Sequence, residues 1–305
     1  MAIREDLTLK KLEVFVAFMR VNHLARVAEE FGQSTVSVHR ALHSLEQALG
    51  CPLFKHEGRR LIPLDTAYTL SRYATRVLAE CEEGIRSVRE LAGVNASRLK
   101  IGALYSLTLH CIPRLIVGVK LRKAGLDVDL TLGSNQDLLR QLEERRLDAI
   151  VIGLDGPAPL RNVIAVPLFS DEVHLAVPAD SPYAGETLID LKDLRNENFV
   201  ALTDGFITAR SFQRAFEQAD FRPKIGMQVG DIFSLINLVS GGMGCTLLPG
   251  RVAGFTPRIR LIRLKSQYVT AQHITLLFSQ SREQEANLLA LAAECRMIGR
   301  RPTPA

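Results

Sequence analysis

Residues 24–50 read LARVAEEFGQSTVSVHRALHSLEQALG, and how this stretch folds decides how the rest of the chain is read. Ala28, Gly32 and Val38 stand at the offsets of a helix-turn-helix. A small residue lets two helices approach, a glycine turns the corner and a β-branched residue anchors the second helix. Ser34 is placed to cap that second helix through its hydroxyl. Val38, Leu42, Leu45 and Leu49 recur at helical spacing and define one buried face. The opposite face carries Val36, His39, Arg40, His43 and Gln47, a set of donors, acceptors and one methyl-bearing residue that suits base edges in a major groove. An ordinary helical hairpin also has one apolar and one polar face, so this triplet alone leaves both readings open.

Gly50-Cys51-Pro52-Leu53-Phe54 stops the helix, and Lys55 to Leu64 reads as a short hairpin with Gly58 at its turn. Arg59 and Arg60 beside that turn are placed to meet phosphates, as on a wing. The net charge of +5 contributes little to this reading, because residues 1–90 hold 13 Lys and Arg against 12 Asp and Glu. Placement carries it instead. Residues 33–60 hold Arg40, Lys55, Arg59 and Arg60 against Glu46 and Glu57, with three histidines. The expected DNA-contacting set is Ser34, Thr35, Val36, His39, Arg40, His43, Arg59 and Arg60.

The run from Leu9 to Ala67 resembles the DNA-binding domain of the LysR-type transcriptional regulators. The matching residues are Leu12, Phe15, Val27-Ala28, Phe31, Ser34, Val38, Arg40, Leu42, Leu45-Glu46, Gly50, Pro52-Leu53-Phe54 and Gly58-Arg59-Arg60. Where the family usually has Ser-Gln-Pro-Ala-Val-Ser, this chain has Ser34-Thr35-Val36-Ser37-Val38-His39. Where it usually has Thr and then Gly after the wing, this chain has Leu64 and Ala67. The resemblance therefore implies the domain type and not an operator sequence.

The remainder of the 305 residues has room for a larger domain. At 47% hydrophobic and 23% charged residues, the composition is that of a soluble globular protein. No stretch is apolar enough to span a membrane, and Met1–Asp6 lacks the apolar segment of a secretory signal, so the expected location is the cytoplasm. Five widely spaced cysteines show no metal-ligand spacing; buried thiols are the default, with Cys111 and Cys245 the two candidates for a redox role.

Asp65 opens a long helix with Leu70, Ala74, Val77, Cys81, Ile85, Val88 and Ala92 at a mean spacing of about 3.7 residues, near the value that keeps a seam on one side. Such a seam calls for a partner, either a second copy of the helix or the helix's own domain, and the resemblance makes it the dimerisation linker. Val94 to Ser97 is a polar break. Strand and helix patterns then alternate from Leu99 to a last strand at Ile274–Ser279 and a last helix at Glu283–Ile298, which argues a parallel α/β sheet. Residues 300–305 read as a disordered tail. The expected fold class is α/β: an α-rich winged helix-turn-helix over 1–64, a linker helix over 65–93, and a two-lobed, periplasmic-binding-protein-like effector domain over 94–305.

In open α/β sheets ligands sit beyond the carboxyl ends of strands, at helix starts. The turns Tyr105-Ser106-Leu107-Thr108, Gly133-Ser134-Asn135-Gln136 and Thr203–Thr208 supply hydroxyls and amides there, with Arg210 a counter-charge. The expected effector set is Tyr105, Ser106, Thr108, Ser134, Asn135, Phe206, Thr208 and Arg210. Each hydroxyl can equally be a plain helix cap. Ser240-Gly241-Gly242-Met243-Gly244 lacks the lysine and spacing of a phosphate loop and reads as a helix end leading into a strand.

No HExxH, triad or paired-carboxylate pattern supports catalysis, and no cofactor or metal is expected. Within the LysR-type group, the strings at 9–15, 37–42, 104–109, 133–136 and 287–294 are similar to the regulators of malonate-utilisation genes. That resemblance implies promoter DNA, a small carboxylate effector, further copies of the chain (a dimer through the linker helix, and a tetramer) and RNA polymerase as partners, with no membrane. The alternative is a cytoplasmic small-molecule-binding protein of the same two-lobed fold without sequence-specific DNA regulation, which leaves the first 64 residues unexplained.

Overall fold

The computed structural model describes residues 7–58, 60–91, 98–158 and 160–299. The chain divides into two compact units, Met1–Ala96 and Ser97–Ala305.

The first unit opens with α1 (Leu9–Val21), α2 (Leu24–Glu30) and α3 (Thr35–Leu49). Gly32 takes the left-handed conformation (φ 60°) at the corner before α3. Val38, Leu42 and Leu45 are buried as their spacing predicts, but Ala48 takes the fourth fully buried position and Leu49 is half-buried. An antiparallel pair follows, β1 (Phe54–Glu57) and β2 (Arg60–Pro63). Phe54 packs edge-on against Phe18, with ring centroids 5.2 Å apart, and so ties the hairpin to α1.

The long helix α4 (Asp65–Leu91) then divides its seam between two tasks. Ala67 and Ala74 are buried in the same core, with Leu70 and Leu78 packed against it. Val77, Ile85 and Val88 are exposed, as is Tyr73. The expected single stripe is therefore partly used within the unit, and its distal part lies bare. Ala92, the break at 94–97 and the tail at 300–305 lie outside the described residues.

The second unit begins with β3 (Arg98–Ala103), α5 (Cys111–Arg122), β4 (Asp127–Leu132), α6 (Asn135–Glu143) and β5 (Ala149–Leu154). A 16-residue strand, β6 (Val163–Pro178), leads into β7 (Leu188–Ile189), β8 (Asn198–Leu202), α7 (Ile207–Gln218), β9 (Lys224–Val229) and α8 (Ile232–Ser240). The chain closes with β10 (Thr246–Pro249), β11 (Ile259–Leu264), β12 (Ala271–Ser279) and α9 (Ala286–Gly299). Gly241–Gly244 joins α8 to β10, as expected of a helix end.

The sheet is mixed rather than parallel. Strands β3, β4 and β5 are parallel, but β12 pairs antiparallel with both β5 and β6, and β10 and β11 pair antiparallel with β6. The alternation of strands and helices is interrupted after β5, where among the described residues no helix separates β5 from β6. Two lobes result. Residues 163–172 of β6 pair with β12, and residues 173–178 pair with β10 and β11, so β6 runs through both. The segment from β11 to β12 crosses back, and β12 and α9 return to the first lobe as expected. Each lobe is closed by its own apolar clusters. Among the described residues, no helix is long and apolar enough to cross a membrane and no cluster of His, Cys, Asp or Glu has metal-site geometry.

Candidate functional site

On the first unit, α3 turns Thr35, Val36, His39, Arg40 and His43 to solvent, and Val36 is 64% exposed. Ser34 caps the helix: its Oγ accepts from the Ser37 amide at 3.1 Å. His43 lies within 3.4 Å of a Glu46 oxygen and 3.3 Å of Gln47 Nε2, so part of its hydrogen-bonding capacity is used along the helix. Arg40 has no ion pair among the described residues. Arg60 is exposed on β2, and Arg59 lies outside the described residues.

Two features of this surface had no separate signal in the sequence. The His39 ring on α3 lies 5.9 Å from the His56 ring on β1, which brings the hairpin's side chains beside the exposed face of α3. Below it, one oxygen of Glu46 accepts from the amides of both Leu53 (2.8 Å) and Phe54 (3.0 Å). That carboxylate fixes the hairpin to α3 by charge-assisted bonds.

In the second unit the expected effector residues fall into two groups. The first surrounds a cleft of ≈ 330 Å³ between the lobes, lined by Asn135, Gly153, Asp155, Gly205, Phe206 and Arg210 among others. Asn135 spans it: Nδ2 donates to the Gly153 carbonyl at 2.7 Å and Oδ1 accepts from the Ile207 amide at 2.9 Å. The Gln136 amide donates to the Gly205 carbonyl at 3.1 Å. Gly205 has φ 97°, and a Cβ there would press on Gln136 and Ser134, so glycine permits the close approach. Arg210 is not an unpaired counter-charge. It donates to Asp155 at 3.0 Å, and Arg214 reaches the same carboxylate at 2.7 Å.

The second group is buried. Ser106 Oγ accepts from Nε of Arg251 at 2.8 Å. Arg251 Nη1 donates to Asp171 at 3.0 Å and to Gln272 Oε1 at 2.9 Å. Gln272 Nε2 donates in turn to Ser211 (3.1 Å) and Thr208 (3.4 Å). The network draws Asp171 from β6, Gln272 from β12, Ser106 from the first lobe, and Thr208, Ser211 and Arg251 from the second. Burial pulls the Arg251 guanidinium below its usual pKa, and the charge of Asp171 only partly offsets this.

Two expected hydroxyl donors are already spent: Thr108 Oγ1 donates to the Tyr105 carbonyl at 2.7 Å, and Ser134 Oγ donates to Asp137 at 2.9 Å while capping α6. The Tyr105 ring meets Phe233 edge-on at 6.4 Å and helps pack the lobes together. Asp171, Arg251, Gln272 and Ser211 were missed because they become neighbours only through the two crossing strands. A larger groove of ≈ 610 Å³, lined by α7, β8 and β9, holds none of the expected effector residues. Burial pushes the Cys111 thiol up to about 11 and that of Cys245 up to about 12, which disfavours the reactive thiolate at both redox candidates.

An exposed, capped recognition helix with a hairpin fixed to it, followed by a two-lobed unit with polar groups at its junction, has clear counterparts among known proteins. Residues 9–67 match the model of the bacterial regulatory helix-turn-helix proteins of the lysR family, and residues 92–298 match the LysR substrate binding domain. The chain belongs to the lysR family. A malonate utilization transcriptional regulator from Klebsiella pneumoniae is 46% identical over 300 residues, covering 98% of this chain and 97% of that protein. The transcriptional dual regulator GltC of Bacillus subtilis (strain 168) is 26% identical, over 82% of this chain and 83% of its own. Among solved structures, the LysR family regulator CbnR covers 97% of this chain and 100% of its own at 18% identity, with a TM-score of 0.71. That likeness shows the fold. As a lysR-family member, the chain is a DNA-binding transcriptional regulator with an effector-binding domain.

Proposed function

We propose that this lysR-family regulator senses a small carboxylate, malonate or a close chemical relative, and controls genes for its use. The observation that carries the reading is the 46% identity to the malonate utilization regulator, which runs through both units rather than the DNA-binding part alone. On this reading residues 1–64 form the DNA-binding head, 65–93 the linker helix and 94–305 the effector domain. Val36, His39, Arg40 and His43 face base edges, while Arg59 and Arg60 meet phosphates. The bare distal stripe of α4, with Tyr73, Val77, Ile85 and Val88, takes a second copy of itself, and pairs of such dimers form a tetramer. The effector must bind one arrangement of the oligomer more tightly than the other, since equal affinity shifts nothing. The altered spacing of the heads then changes promoter bending or contact with RNA polymerase in the cytoplasm.

The test is footprinting of the regulator's own promoter against random duplex, with and without sodium malonate. A promoter-specific footprint altered by malonate supports the reading. Equal binding to random duplex, or a footprint indifferent to malonate, overturns the corresponding half. Arg40→Ala is expected to relax base preference, whereas Arg60→Ala weakens all sequences alike and lowers the salt slope by about 1.

A further inference from the structure

We infer that Arg251 is the residue that receives the effector's carboxylate, and that Asp171 is a built-in competitor for its charge. This rests on the carboxylate-effector reading above and names the group that recognises it.

The Arg251 side chain is more than nine-tenths buried, yet among the described residues Nε and Nη1 have partners and Nη2 makes no hydrogen bond. Ser106, Thr208 and Ser211 are each buried and each accept a hydrogen bond, from Arg251 or from Gln272. Among the described residues their own hydroxyl protons have no acceptor. A buried network with two guanidinium N–H groups and three hydroxyl protons to give is matched by a ligand that only accepts, and a carboxylate is such a ligand. Arginine also presents its donors in a fork that fits carboxylate geometry.

The charges point the same way. Among the described residues Asp171 is the one carboxylate on Arg251, and it also accepts from the Arg251 amide at 2.9 Å and the Glu172 amide at 2.8 Å. It is therefore anchored to the main chain whether or not the guanidinium pairs with it. Gly250 makes room for it, because a Cβ there would come within 2.8 Å of Asp171 Oδ1. An arriving anion thus meets a guanidinium that is held in place with one nitrogen still to give, beside the negative charge of Asp171. The network also joins both lobes to both crossing strands, so a ligand seated there bears on the lobe junction directly.

The test uses the full-length protein, with calorimetric titration of sodium malonate and of neutral malonamide. The expected wild-type result is binding of malonate and not of malonamide. Arg251→Met is expected to weaken malonate by at least about tenfold, the loss of a hydrogen bond to a charged group. Asp171→Asn is expected to tighten it several-fold, and to show a larger malonate-induced rise in melting temperature than the wild type. That gain cannot be mimicked by misfolding, so it keeps the inference testable should Arg251→Met fail to fold. Malonate binding at wild-type affinity in both variants overturns the role of Arg251 and leaves the carboxylate reading standing. So does loss of binding in Arg210→Ala with retention in Arg251→Met, which would place the receptor in the open cleft. Absence of binding to malonate and to succinate in the wild type overturns the carboxylate reading itself, and this inference with it.

Discussion

Two arginines are buried in the effector-side unit, and their surroundings satisfy them in opposite ways. Arg282, in the turn after β12, gives Nε and Nη2 to the Glu285 carboxylate at 2.6 and 2.7 Å and Nη1 to Asp148 at 2.7 Å. Burial works against its charge, but the Glu285 hydrogen bonds and the charges of Asp148 and Glu285 outweigh it and hold its pKa above the ordinary value. Arg251 has one carboxylate, two neutral partners and a nitrogen left over, and its pKa is pulled down. The contrast separates a rivet from a receptor. A guanidinium saturated by two carboxylates is committed to holding β3, β5 and α9 together, since Asp148 also accepts from the Lys100 amide at 2.7 Å. One left partly unsatisfied at a lobe junction is suited to a guest.

Four substitutions rank this contrast, and thermal melting of the full chain reads them all. The largest loss is expected for Arg282→Met, which takes the cation away from the buried Asp148 and from Glu285 and costs about 3–5 kcal/mol. At about 2–4 °C per kcal/mol for a unit of this size, the melting temperature falls by about 6–20 °C. Arg251→Met comes next, at about 1–3 kcal/mol, because Asp171 keeps two main-chain donors when the guanidinium goes. A larger drop for Arg251→Met than for Arg282→Met would reverse the assignment of rivet and receptor. Asn135→Ala removes two hydrogen bonds at the cleft, of which the one from the Ile207 amide crosses it, and is expected to cost about 1–2 kcal/mol. Arg210→Ala is expected to change stability by less than about 1 kcal/mol, since the pair is exposed on the arginine side and Arg214 still holds Asp155. A loss for Arg210→Ala equal to that of Asn135→Ala would show that the cleft is closed by charge as much as by the amide.

The same contrast explains what could be read from the sequence. On the head, the exposed residues of α3 lie within one helix, and a 3.6-residue period locates them without any tertiary knowledge. Ser106 and Thr208 were accessible for a similar local reason, as hydroxyls at strand-to-helix turns. Asp171 and Arg251 are 80 residues apart, and nothing in Pro249-Gly250-Arg251 marks the arginine as more than the end of a strand. The first half of β6 was also hidden. Pro167 sits where its register against β12 shifts, opposite Thr275, and a proline inside an apolar run argues against a strand unless a bulge accommodates it. The parallel sheet was expected from alternation alone, and the antiparallel return of β12 has no local signature.

The bond from Glu46 to the amides of Leu53 and Phe54 has a consequence for control. Because a single carboxylate pins hairpin to recognition helix, the two travel as one rigid probe, and neither can be retuned by itself. Signals reaching the head would then act on where that probe lands and how long it stays, leaving its vocabulary of bases unchanged.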